Sequence, residues 1–193
     1  MRLDIEYIKE KINKLDNSVY SEPVFENSKP FVPASVLIPI FEIDNKSHII
    51  FTKRTDKVSH HKGQISFPGG KFDKTDKDLE FTALRETQEE IGVNPEDIKI
   101  VGKINNMVTN TNFIVSPFVG ILPYPYNFLV NPDEISELII VPVKHLMNKN
   151  FFRIEKKEFN GKLFDIYYYE YLNHTIWGVT GKILFDFLSL IEF

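Results

Sequence analysis

Apolar positions Leu3, Ile5, Ile8, Ile12 and Leu15 recur at roughly helical spacing, and they predict an amphipathic helix over residues 3–15 with one apolar stripe. Residues 16–33 turn to Ser, Asn and Pro, the composition of a connecting loop. Residues 34–43 and 48–53 are β-rich runs separated by Asp44-Asn45-Lys46, a predicted hairpin. Within residues 69–93 the second half reads as one helix. Thr75 and Asp76 offer cap oxygens, Asp78 suits the positive N-terminal end, and Gly92 stands where a left-handed cap belongs. At about 100° per residue, Glu86, Glu89 and Glu90 fall within an arc of about 100°, with Phe81, Leu84 and Ile91 opposite. The helix is therefore expected to bury one face and to present three carboxylates on the other.

Further strands are predicted over residues 98–104, 113–122 (broken by Pro117) and 138–143, the last followed by a short helix. Residues 105–112 form a polar loop, and the aromatic, proline-rich residues 124–131 suggest a wall or lid. A hairpin is predicted from residues 151–157 and 163–172 around Asn160-Gly161, and a final apolar-striped helix over 179–191. No repeat or long linker interrupts the pattern. One domain over 1–193 is expected, with residues 1–33 its N-terminal helix and connecting loop.

The 193 residues suffice for a single core, and 42% hydrophobic with 26% charged residues is an ordinary water-facing composition. A net charge of -4 gives no footprint for nucleic acid. The lack of cysteine excludes disulfides, thiolate catalysis and zinc–thiolate sites. The charged N-terminal residues do not read as a signal peptide, no apolar run approaches a membrane span, and the last residues are no peroxisomal address, so a cytoplasmic protein without membrane partners is expected. The oligomeric state is not legible; a homodimer is left open.

Carboxylates at i, i+3 and i+4 repel, so something positive should offset them. A solvated acidic face is the plain reading. Oxygen-only ligands with room for water instead suit Mg²⁺ or Mn²⁺ together with substrate phosphates, and the Gly69-Gly70 pair lets backbone approach a ligand closely. Gly70, Arg85, Glu86, Glu89, Glu90, Gly92 and Val93 resemble the Nudix box, the metal-binding signature of hydrolases acting on nucleoside diphosphates linked to another group. The loop between Gly70 and Arg85 is one residue longer than usual, the early glutamate is either Asp76 or replaced by Lys77, and Thr87 stands at a normally hydrophobic position.

Upstream, Thr52, Arg54, His61, Gly63, Gln64, Ser66, Phe67, Pro68, Gly69 and Gly70 resemble the extra signature of coenzyme A diphosphatases. Ser59 occupies a position where that branch often has arginine, which leaves Arg54 or Lys62 to meet a phosphate. The resemblance covers residues 36–188. It implies an α/β Nudix fold, an α/β/α sandwich around a mixed β-sheet. It also implies hydrolysis of the diphosphate of coenzyme A or an acyl-coenzyme A, dependent on Mg²⁺ or Mn²⁺. The products would be adenosine 3′,5′-bisphosphate and a 4′-phosphopantetheine. Glu86, Glu89 and Glu90 are then metal ligands or base, the Gly69 carbonyl is a further ligand, and Arg85 orients a glutamate by pairing with Glu86 or Asp76. Substrate contacts are expected from Arg54, His61, Gly63, Gln64, Ser66 and Phe67. Glu134 and Glu137 are candidates for a late acidic group, against solvated residues at a strand entrance. His60 and His61 meet a phosphate or cap their loop, and Trp177, Phe67, Tyr124 and Tyr126 cover the substrate or belong to the core. The alternatives are another nucleoside diphosphate derivative such as ADP-ribose, or a Nudix-like binding domain without turnover.

Overall fold

The strand that carries the architecture is β1 (Val32–Ile43), whose apolar run is buried on both faces. Leu37 and Phe41 point into one apolar cluster, Ile38 and Ile40 into another, as the two-residue period of a strand requires. The computed structural model describes residues 1–15, 30–57, 62–159 and 161–191. β1 pairs antiparallel with β2 (Lys46–Arg54) and parallel with β7 (Phe113–Ile121), so the sheet is mixed. Its order runs β3 (Ile65–Ser66), β2, β1, β7, β5 (Lys99–Lys103). Three further strands attach to it: β4 (Gly69–Lys71) on β1, β6 (Met107–Val108) on β7, and β8 (Ile135–Pro142) on β2.

Helix α2 (Leu79–Ile91) covers the face of Leu37, Phe41, Ile50 and Phe118 through Ala83 and Ile91. α1 (Ile5–Asn13) and α4 (Gly178–Ile191) cover the opposite face through Ile8, Ile12, Ile183, Leu184 and Phe187. This is the expected α/β sandwich around a mixed sheet. A short α3 (Val143–Leu146) follows β8, and a second, three-stranded sheet is built from β9 (Phe152–Phe159), β10 (Lys162–Tyr171) and β11 (His174–Ile176). Among the described residues no helix is long and apolar enough to cross a membrane.

Several expectations need correction. The first hairpin turns at Asp44 and Asn45, both in the left-handed region, as a tight two-residue turn demands, and β2 starts at Lys46 rather than His48. Pro117 does not break β7. Its carbonyl accepts from the Ile104 N–H at 3.0 Å, on the side where β7's pairing with β6 reaches Val115 and its pairing with β5 starts at Phe118. The missing proline N–H thus faces a gap in the ladder, where it leaves no partner unsatisfied. The N-cap of α2 is Asp78, which accepts from Phe81 N, while Thr75 and Asp76 lie ahead of the helix. The expected loop over residues 16–33 lies largely outside the described residues, and β1 begins within it at Val32. Asn160 also lies outside them.

A carboxylate cluster beside an apolar cavity

The site begins where two stretches of backbone meet without side chains between them. β4 lies antiparallel on β1, with Gly69 opposite Val36 and Gly70 opposite Ser35. A Cβ at Gly69 would stand 2.3 Å from the Ser35 carbonyl oxygen, and one at Gly70 would stand 2.4 Å from the carboxyl carbon of Glu86. The missing side chain of Gly70 is therefore the space that the Glu86 carboxylate occupies.

Arg85 organises the next layer. Its Nε and Nη2 donate to the two carboxylate oxygens of Asp76 at 2.9 and 3.1 Å, a bidentate pair. Its Nη1 lies 2.9 Å from Glu86 Oε1 and 2.9 Å from Glu89 Oε2. Both expected pairings, with Glu86 and with Asp76, are present. Asp76 is buried and also accepts from the Thr82 hydroxyl at 2.8 Å and the Asp73 N–H at 3.0 Å. The Arg85 hydrogen bonds, helped by these donors, lower its carboxyl to about 2, against the opposing effect of burial.

The helix does not present all three glutamates to solvent. The Glu89 side chain is 54% exposed, Glu86 17% and Glu90 only 2%. The buried face of α2 comprises Thr82, Ala83, Thr87, Glu90 and Ile91, whereas Phe81 is exposed under Lys77 and Leu84 is half-buried. Thr87 fits this face because its hydroxyl donates to the Ala83 carbonyl at 2.7 Å, one turn back. Glu90 lies 3.6 Å from Arg54 Nη1 and 3.5 Å from the Thr52 hydroxyl. Burial pushes its carboxyl up to about 8; Arg54 and the Gly69 N–H oppose that, and the charges of Glu86 and Glu134 add to it. Burial likewise raises Glu86, with Arg85 opposing and Glu89 and Glu134 adding.

Glu134 thus lies close enough to act electrostatically on both buried glutamates, brought there by a loop whose Glu134 carbonyl accepts from Thr55 N at 2.8 Å. Glu137 is engaged elsewhere, with Lys53 at 3.7 Å and the buried His174 at 3.2 Å. Arg54, Gln64, Ser66 and Phe67 line a cavity of about 720 Å³ between the main sheet, the β9–β10 hairpin and the start of α4. Ser66 is joined to the carboxylates through Thr52, whose hydroxyl lies 3.3 Å from the Ser66 carbonyl oxygen and 3.5 Å from Glu90. Gly63 occupies a turn at φ 66° outside that lining. His60 and His61 lie outside the described residues.

Trp177 and Phe67 line the cavity, but Tyr124 and Tyr126 do not. Tyr124 stacks on Phe41 at 5.2 Å and the Tyr126 hydroxyl donates to Asp97 at 2.8 Å, so residues 124–131 pack beside α2 and give the cavity neither wall nor lid. The wall residues the pattern did not single out are Met107, Phe159, Phe164 and Val179. Their signal was present as apolar positions in a polar loop, a hairpin and a helix start, but nothing local distinguished a cavity wall from a core.

The donor set suits a hard divalent cation: carboxylate oxygens crowded on one helix, with backbone brought against them by the two glycines. Among the described residues no three acidic or histidine side chains are gathered as a cation cage; Glu86 and Glu89 lie on Arg85, and Glu90 lies by Arg54. The excess charge is nevertheless there. Arg54 Nε is buried without a hydrogen-bond partner among the described residues, so this end of the cavity also holds a cationic donor.

A NUDIX domain sequence model matches residues 32–162. The chain is 33% identical over 155 residues to the mouse protein named peroxisomal coenzyme A diphosphatase NUDT7, covering 77% of this chain and 66% of that one. It is 30% identical over 159 residues to a Photorhabdus laumondii protein named uncharacterized Nudix hydrolase NudL, covering 82% and 84%. The crystal structure of a Nudix hydrolase from M. smegmatis, RenU, superposes with a TM-score of 0.51 at 16% identity, covering 61% of this chain and 74% of that one.

Two expected outcomes follow from the ionisations. Asp76→Asn removes the anchor of Arg85 and should lower stability at pH 7 by roughly 3 kcal/mol in chemical denaturation. Because the Asp76 carboxyl is depressed, that contribution is present above its ordinary 3.8 and is lost as pH falls towards about 2, so parent and variant should converge in acid. Glu90 behaves oppositely. Its raised carboxyl makes the chelator-treated protein lose stability as pH climbs from 4.5 through about 8. Glu90→Gln should therefore raise the Tm at pH 8 by several degrees, at about 2–4 °C per kcal/mol, with no gain near pH 4.5. A parent Tm flat across that range would contradict the buried-carboxylate account.

Proposed function

The chain belongs to the Nudix family and is a Nudix hydrolase, and from that premise we propose that it cleaves the diphosphate of coenzyme A or its thioesters. The observation that carries this reading is the junction at Thr52 and Arg54. There the residues resembling the coenzyme A signature run from the buried Glu90 into a large apolar cavity. A substrate with a diphosphate and a long flexible arm matches that junction better than ADP-ribose, whose arm beyond the diphosphate from adenosine is a single polar ribose. The name of the mouse relative supports the same branch.

In this reading Glu86, Glu89, Glu90 and the Gly69 carbonyl would hold Mg²⁺ or Mn²⁺, which supplies positive charge at the phosphoryl oxygens when bound. The remaining chemistry belongs to the chain. Arg85, fixed by Asp76, holds Glu86 and Glu89 in place on one side of the cluster. Arg54, whose Nε has no partner among the described residues, offers a cationic donor to the diphosphate. A glutamate of the cluster, with Glu134 the facing alternative, takes a proton from the attacking water. Water adds to one phosphorus as the bond from that phosphorus to the bridging oxygen breaks. The bridging oxygen leaves on the other phosphate, giving adenosine 3′,5′-bisphosphate and 4′-phosphopantetheine or its acyl form.

Incubation of the protein and Mg²⁺ or Mn²⁺ with coenzyme A, acetyl-coenzyme A, ADP-ribose and NADH separates the readings. Adenosine 3′,5′-bisphosphate should form from the coenzyme A substrates, and Glu89→Gln with Glu90→Gln should abolish it. Turnover of ADP-ribose alone would refute the coenzyme A assignment and leave the family intact. Asp76→Asn should lower turnover by about 10- to 100-fold, the usual cost of releasing a supporting group behind metal ligands.

A further inference from the structure

The glutamates around the site are not equivalent. Glu86 and Glu89 each lie 2.9 Å from Arg85 Nη1, so both already face a cation. Glu90 is 2% exposed, enclosed by Arg54 and the Thr52 hydroxyl and closed to bulk water. Glu134 differs on both counts. It is half-buried, and among the described residues no cation lies within ion-pair distance of its carboxylate. That carboxylate instead faces the side-chain amide of Asn131, whose Nδ2 lies 3.5 Å from Oε1. A contact of that length aims the group without saturating its lone pairs, which leaves them open to a water.

Asn131 binds the turn carrying Glu134 to α2, and different parts of the residue do different things. Its N–H donates to the Glu90 carbonyl at 3.0 Å, next to the Leu129 N–H on the Ile91 carbonyl at 3.0 Å. Its carbonyl accepts from the N–H groups of Glu134 at 3.2 Å and Ile135 at 2.9 Å. Its Oδ1 accepts from the Asp133 N–H at 3.1 Å, a turn that requires only an acceptor at this position. Across the turn, the Thr55 N–H donates to the Glu134 carbonyl at 2.8 Å and the Thr55 hydroxyl to the Asp133 carbonyl at 3.0 Å. The turn is thus held between α2 and the end of β2, which carry Glu90 and Arg54. None of these bonds uses Asn131 Nδ2, the atom that faces Glu134.

We propose that Asn131 is a positioning residue whose side-chain amide aims Glu134 at the carboxylate cluster, and that Glu134, rather than a glutamate of α2, accepts the proton of the attacking water. The proton passes to a Glu134 carboxylate oxygen as the water oxygen bonds to phosphorus. The bond from that phosphorus to the bridging oxygen breaks, and its electron pair leaves with the bridging oxygen on the other phosphate. This rests on the hydrolysis described above but not on the coenzyme A assignment.

The test measures kcat and KM on whichever of coenzyme A and ADP-ribose the protein cleaves with Mg²⁺, and Mn²⁺ affinity by electron paramagnetic resonance. Glu134→Gln should lower kcat by about 10²- to 10⁴-fold and leave Mn²⁺ affinity unchanged. Asn131→Asp keeps the acceptor for the Asp133 N–H and the backbone bonds, but sets a carboxylate against Glu134. It should melt with the parent and lose up to about 100-fold in kcat with little change in KM. Asn131→Ser, which keeps a turn oxygen but falls short of Glu134, gives the same readout if the first variant melts early. In a Glu134→Gln background, Asn131→Asp should have no further effect, because both act through one carboxylate. Full kcat in folded Asn131→Asp is what a merely turn-building asparagine predicts, and it overturns the proposal. A loss confined to KM, an additive double variant, or weaker Mn²⁺ binding in Glu134→Gln, which makes Glu134 a metal ligand, overturns it too. Cleavage of ADP-ribose alone refutes the coenzyme A assignment and leaves this proposal standing. Cleavage of neither compound removes the hydrolysis, and the proposal with it.

Discussion

The site depends on one ion pair, Arg85 with Asp76. An arginine among three glutamates on one helix could take several partners, and each choice would move the carboxylates. The buried Asp76 removes that freedom by gripping Nε and Nη2 together, which leaves Nη1 alone to face Glu86 and Glu89. Asp76 is itself held by Thr82 and by the backbone of its own loop. The long stretch between Gly70 and α2 thus ends in a fixed carboxylate rather than a free one. A bidentate pair fixes angle as well as distance, which a lysine at position 85 could not do.

The second constraint is the balance of charge across the helix. Glu90 is buried among its neighbours' negative charge with Arg54 at 3.6 Å, a separation too long for a strong pair. Without a cation the cheapest response is to keep the proton, hence the raised carboxyl. A buried acidic group tolerated in that way costs stability, and proteins accept such costs mainly at working sites. The same reasoning explains why two glycines precede the helix. Any side chain at Gly70 would displace the Glu86 carboxylate, and with it the crowding that makes the cluster attractive to a cation.

How much of this was legible in the sequence depended on whether the signal was local. The β1–β2 hairpin, the cap at Gly92 and the final helix could be read because turn chemistry and periodicity act over a few residues. The short strands β3, β4 and β6 could not, since two or three residues carry no period and are defined only by the strands they meet. The error on α2 is more instructive. Taking polar as exposed placed Glu90 on the solvent face and Phe81 on the core face, and tertiary structure reversed both. The stripe Ala83, Thr87, Glu90, Ile91 is regular, but half its members are polar, so a reading by hydropathy passed over it. The carboxylates and arginines could be named from spacing and resemblance, whereas Glu134's approach to them required the fold.

The chain divides its chemistry between two regions. The charged machinery, from Arg54 through Glu90 to Glu134, sits on the mixed sheet and α2, where rigid backbone can hold opposed charges within a few ångströms. The apolar body of the cavity draws on β10 and the start of α4, elements that pack through aromatic contacts such as Tyr167 on Phe185 at 4.4 Å. Ion pairs demand exact partners, so substitutions in the first region disrupt the whole network. Apolar walls tolerate changes of size at modest cost, because dispersion and burial are non-directional. The charged region can therefore stay fixed while the apolar wall changes in size and shape.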